Sequence, residues 1–156
     1  MKPQERRILL LYSSRDRTPF REHVSLQQLT AMARALRASS WEPCIAKYTA
    51  YTIDRTFRDY RPELVFNLAY GYFDPEAAVY ESQPEVTARL EAYGVECVGA
   101  SARAQRIAQD KLGCAALLSR ESIASPQLLS LEQSSRLPKI AVLKPRFGAC
   151  HRGVRR

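Results

Sequence analysis

Two short apolar runs with a helical stretch between them do most to limit the folds open to this chain. Ile8-Leu9-Leu10-Leu11-Tyr12 is unbroken and stops at the polar Ser13-Ser14, the pattern of a strand buried on both faces. Leu26, Leu29, Ala33 and Leu36 then fall at helical spacing; Ser25 is placed to cap the start and Ser39-Ser40 close the pattern. Cys44 to Tyr48, after Pro43, makes a second strand. Strand, helix, strand is a βαβ unit, which requires parallel strands and carries a strong expectation of a right-handed crossover. The predicted fold class is α/β with a mostly parallel sheet.

The rest of the chain extends this pattern. Ile53 to Tyr60 reads as a short helix closed by Arg61-Pro62, and Glu63 to Leu68 as a third strand running into Ala69-Tyr70-Gly71-Tyr72. Ligands of open α/β sheets gather outside the carboxyl ends of the strands, so Asn67, Tyr70 and Tyr72 are placed to line a cleft; the tyrosines could equally pack on the loop. A helix runs from about Pro84 to Gly94, a short fourth strand follows, and Ala102 to Ala108 is a small-residue helix. Asp110-Lys111 opens a further helix that continues through Arg120, where Lys111 by itself reads as a solvated surface charge. Ser122 to Pro126 is a connector, Gln127 to Leu131 is short and apolar, and Glu132 to Pro138 is a polar loop. A final apolar strand delivers Lys144 to its end, before Pro145 and a loop bearing Gly148 and Gly153. An ammonium beside glycines can meet a phosphate, because glycine lets backbone N–H groups approach its oxygens closely.

Charge and cysteine content narrow the function classes. The net charge is +8, but seven basic residues and no acidic one lie from Arg136 onward, so the first 135 residues carry only +1. Basicity confined to one end, without interleaved aromatics, makes nucleic acid an unlikely partner. Cys44, Cys97, Cys114 and Cys150 are widely spaced with no C-x-x-C pair, which suggests free thiols and neither zinc nor disulfides. No apolar run approaches the ~20 residues that cross a bilayer, and the polar start is not followed by a signal-peptide core, so a cytoplasmic protein without a membrane partner is expected.

Three separated stretches occur in an order that resembles a known family. They are Val65-Phe66-Asn67-Leu68-Ala69-Tyr70-Gly71, then Gln109-Asp110-Lys111-Leu112, then Leu143-Lys144-Pro145 with Gly153. Together they look like the ATP-grasp ligases, most closely the D-alanine–D-alanine ligase branch. The first matches that branch's Val-Phe-Asn-x-x-His-Gly at Asn67 and Gly71, with Tyr70 where histidine is usual. The resemblance implies a Rossmann-like pre-ATP-grasp domain over residues 1–102 and the start of an ATP-grasp subdomain, incomplete, over 103–156. It also implies a ligase that phosphorylates a carboxylate with ATP and lets an amine displace the phosphate, with ATP and Mg²⁺ as cofactors. By resemblance Lys111, Lys144, Gly148, Arg152 and Gly153 fall around the ATP phosphates, and Asn67, Tyr70 and Gly71 at the substrate.

Two departures qualify the match. Arg21, in Arg21-Glu22-His23-Val24-Ser25, occupies the place of the family's substrate-holding Glu, where a cation favours a carboxylate over an ammonium. The loop after Lys144 lacks the family's Gly-Ser-Ser run and offers Arg152 instead. No catalytic residue is assigned. The family's metal ligands belong to a C-terminal portion, so no metal ligand is expected in this chain, and it is expected not to turn over alone. The alternative is a noncatalytic module that binds a small ligand or a partner, completed by a missing C-terminal half or a homodimer partner.

Overall fold

The structure is a computed structural model and describes residues 6–14, 23–126 and 144–147. The chain divides into two compact units, Met1–Ala102 and Arg103–Arg156.

The first unit is built on a four-stranded parallel sheet. Its strands are β1 (Arg6–Tyr12), β2 (Trp41–Lys47), β3 (Leu64–Leu68) and β6 (Glu96–Val98), in the order β2-β1-β3-β6. The apolar run from Ile8 sits at the centre because side chains alternate between the two faces and both faces are covered. Leu9 and Leu11 pack with Ile53, Phe57, Val65, Val86 and Leu90, whereas Leu10 packs with Leu29 and Ala33. One face is therefore closed by α1 (Leu26–Ala38), and the other by α2 (Ile53–Tyr60) and α3 (Gln83–Glu91). Losing any of these fully buried leucines would cost about 2–5 kcal/mol.

Local chemistry sets the element ends. α1 starts with a capping box: Ser25 Oγ accepts from the Gln28 N–H, and the Ser25 N–H donates to Gln28 Oε1 at 2.9 Å. α2 ends where Arg61 turns left-handed (φ 49°), its N–H still donating to the Phe57 carbonyl, and Pro62 prevents continuation. α3 carries Pro84 in its first turn, and Gly94 (φ 68°) follows its last.

Two differences from the sequence expectation are instructive. β2 begins at Trp41, three residues before Cys44, and so includes Pro43. It is an edge strand, which uses only part of its amides for pairing and tolerates a proline. Between β3 and α3 the chain also forms an antiparallel hairpin, β4 (Gly71–Asp74) with β5 (Val79–Ser82), for which the sequence pattern gave no strand. Its loop has no glycine. Asp74 Oδ1 makes the turn by accepting from the Glu76 and Ala77 N–H groups at 3.2 and 3.4 Å, and Ala78 takes the positive φ of 53°.

The second unit holds α4, which runs from the boundary residue Ala102 to Gln109, and α5 (Lys111–Arg120), followed by the segment 144–147. Asp110 separates the helices and caps α5, its side chain accepting from the Leu112 N–H. The strand expected before Lys144 lies outside the described residues.

Candidate functional site

The carboxyl edge of the sheet is the place where a parallel α/β fold offers a ligand site. Three strand ends meet there. The chain leaves β1 at Ser13, β2 at Tyr48 and β3 at Ala69, and the β4–β5 hairpin is anchored to this edge. Ser13 is buried, and its hydroxyl donates to the Gly71 carbonyl at 2.6 Å. Gly71 has φ 123°, a conformation that L side chains rarely adopt.

The polar groups of this edge mostly serve the fold. Asn67 is committed at both ends of its amide: Oδ1 accepts from the Ala69 N–H at 3.1 Å and Nδ2 donates to Thr87 Oγ1 at 3.0 Å. Tyr72 is buried, edge-on to Tyr48 and Tyr51, with its hydroxyl on Asp74. Of the two readings of Tyr72, packing is the one realised. Tyr48 is fully buried and donates to Glu81 Oε2 at 2.6 Å, while Arg89 donates to Glu81 Oε1 at 2.5 Å and to the Ala50 carbonyl. Burial, then the Glu81 carboxylate beside it, pushes the Tyr48 phenol far above its ordinary range, so it stays protonated and donating. This cluster ties β5 to the end of β2. Tyr70 is half-buried, and Ser14 Oγ is buried with no hydrogen-bond partner among the described residues.

The second group of residues lies in the second unit, at the head of α5. Arg146 grips Asp110 with two parallel hydrogen bonds, Nε to Oδ1 and Nη2 to Oδ2, each 2.8 Å. The Lys111 N–H donates to the Arg146 carbonyl at 3.0 Å. The segments carrying Lys111 and Lys144 are thereby joined, with Lys111 half-buried and Lys144 exposed. The Arg146 bonds hold the Asp110 carboxyl well below the usual carboxylate range, at about 2. Neither Asp110 nor Arg146 was singled out as a site residue from sequence, although Asp110 is part of the Asp110-Lys111 stretch and Arg146 directly follows Lys144-Pro145. Their signal was the acid before Lys111 and the base after Pro145.

A cleft of about 590 Å³ opens at the other, amino end of β3 and β6, lined by residues that include Phe57, Arg58, Arg61 and Tyr93. Phe57 and Tyr93 stack at 4.0 Å, and the Tyr93 hydroxyl donates to the Asp54 carboxylate. Strand ends in parallel α/β folds direct ligands to the opposite edge, so we regard this cleft as a gap between α2 and the turn after α3. Arg21, Gly148, Arg152 and Gly153, expected at the substrate and the phosphates, lie outside the described residues. Among the described residues, no group of three His, Cys, Asp or Glu side chains is placed to hold a metal ion, and no helix is long and apolar enough to cross a membrane. Comparison of the chain with protein-family models, curated proteins and solved structures finds no match.

Proposed function

We propose that this chain is the N-terminal part of an ATP-dependent carboxylate–amine ligase resembling D-alanine–D-alanine ligase, inactive by itself. In this proposal residues 1–102 are a Rossmann-like pre-ATP-grasp domain, and the second unit presents cations to the phosphates of ATP. The observation that carries it is the junction in the second unit. Lys111 opens a capped helix whose first N–H is bonded to the segment that holds Lys144 and Arg146.

Among the described residues of that junction, Lys111, Lys144 and Arg146 bring three positive charges and Asp110 one negative charge. Net positive charge at a surface attracts a polyanion and lowers the energy of phosphate oxygens brought there. ATP would supply the phosphoryl group that activates a carboxylate; the chain's own part is to hold and orient the polyphosphate. Among the described residues no side-chain cluster fits a Mg²⁺ site. A cytoplasmic setting accords with the free thiols of Cys44, Cys97 and Cys114.

Isothermal titration with Mg-ATP and an ADP-release assay test this. Binding that weakens at least several-fold in Lys111→Ala and in Lys144→Ala, without turnover, is the expected result. Multiple turnovers from the purified chain overturn the inactive-part reading, and absence of Mg-ATP binding overturns the nucleotide reading. A second reading, a noncatalytic module completed by another chain, is favoured by the directly opposed Phe73 and Tyr80 on the hairpin, both exposed. A concentration-independent monomer in sedimentation equilibrium would count against assembly with a second copy.

A further inference from the structure

The first-turn amides of α5 are largely committed. The Lys111 N–H donates to the Arg146 carbonyl, the Leu112 N–H to Asp110 Oδ1 at 3.2 Å, and the Cys114 N–H to the Asp110 carbonyl at 2.7 Å, while the Gly113 N–H faces the same carboxylate. An incoming anion is therefore read chiefly by side chains. Those are the ammonium groups of Lys111 and Lys144 and the guanidinium of Arg146, whose Nε–Nη2 edge already carries both oxygens of Asp110. That edge is the one a phosphate would take in the same two-pronged way.

We propose that Asp110 is a built-in competitor for the ligand, occupying Arg146 until a di- or triphosphate displaces it, so that the face rejects carboxylate monoanions. The proposal rests on the phosphate-binding reading above. Asp110 is tethered beside Arg146, and a free monoanion cannot match its local concentration. A polyphosphate can, because it brings several charges to three cations, while the ion pair it breaks is partly exposed and weakly held against water. Gly113 makes room for the arrangement: a Cβ there would lie 2.9 Å from Asp110 Oδ2. The acidity of Asp110 also keeps it charged at any ordinary pH, so a ligand and not a proton must remove it.

The test is titration of the full chain with inorganic tripolyphosphate, and separately with acetate, at low ionic strength. Asp110→Asn keeps a capping side chain and loses the charge, and tripolyphosphate should bind it roughly fivefold tighter than wild type. Arg146→Gln should bind it weaker by a similar factor, and in the double variant most of the gain from Asp110→Asn should disappear. Gly113→Ala, which pushes the carboxylate aside without altering charge, should move affinity in the same direction as Asp110→Asn. A pair that merely braces the segment would weaken binding in both single variants, and that outcome overturns the proposal, as does acetate binding as tightly as tripolyphosphate. If wild type and Asp110→Asn both fail to bind tripolyphosphate, the phosphate reading falls and this inference with it. If wild type binds and Asp110→Asn is no tighter, only the competitor is lost.

Discussion

Asp110 shows how much one carboxylate can hold together. Its oxygens accept from Arg146 and from the first turn of α5, and its pKa is lowered to about 2, chiefly by the Arg146 hydrogen bonds. A carboxyl whose pKa is lowered by folding adds stability above its unfolded value, near 4, and loses it as the pH falls through the folded value. The contribution should therefore be intact at neutral pH and disappear between about 4 and 2. A carbon-13 titration of the Asp110 carboxyl should find its midpoint near 2, and Arg146→Gln should return it toward the ordinary range. At the sheet's carboxyl edge, Glu81 depends on two donors of unequal weight. Tyr48→Phe removes a hydrogen bond from a neutral donor to the charged carboxylate and should cost about 2 kcal/mol in urea unfolding. Arg89→Ala strands a largely buried carboxylate and should cost about 3 kcal/mol. A larger loss in Tyr48→Phe than in Arg89→Ala would show that Glu81 is not held chiefly by charge. None of these contacts was legible in the sequence, because Tyr48, Glu81 and Arg89 belong to three elements whose juxtaposition no local pattern records.

Elements with strong local signals were legible, and those shaped by tertiary context were not. α1 announced itself by apolar spacing and by Ser25, and its capping box realises that signal; Ser25→Ala should cost about 1 kcal/mol by thermal or urea denaturation. The end of α2 was equally plain, from Arg61-Pro62, whereas the entry to α5 was expected from the resemblance at Asp110-Lys111 and its aspartate cap was seen only in the structure. The β4–β5 hairpin was hidden. Its strands have four residues each, and its turn rests on an aspartate side chain and a left-handed alanine in place of the usual glycine. Asp74→Ala removes the turn's acceptor and a partner of the Tyr72 hydroxyl, so it should destabilise the first unit by roughly 1–2 kcal/mol. Ala78→Gly should be neutral or mildly stabilising, since glycine adopts positive φ without strain. A clear destabilisation by Ala78→Gly in urea unfolding would contradict this account of the turn.

At the scale of the molecule, the parallel sheet followed from the alternation of apolar runs and helices, and the central place of β1 from its unbroken run of leucines. The side of β1 on which β3 is added could not be read, because both neighbours present similar apolar patterns. Of the candidate site, the sequence offered positions and not contacts. Lys111 and Lys144 do lie on segments that meet, whereas the commitment of Asn67 to Ala69 and Thr87 required coordinates. The hydroxyl of Ser13, hung on the carbonyl of Gly71, makes the hairpin a tethered flap whose hinge is stitched to the middle strand. Flap and strand should therefore surrender their amide hydrogens to heavy water in step, and Ser13→Ala should let the flap exchange early while the strand keeps its pace.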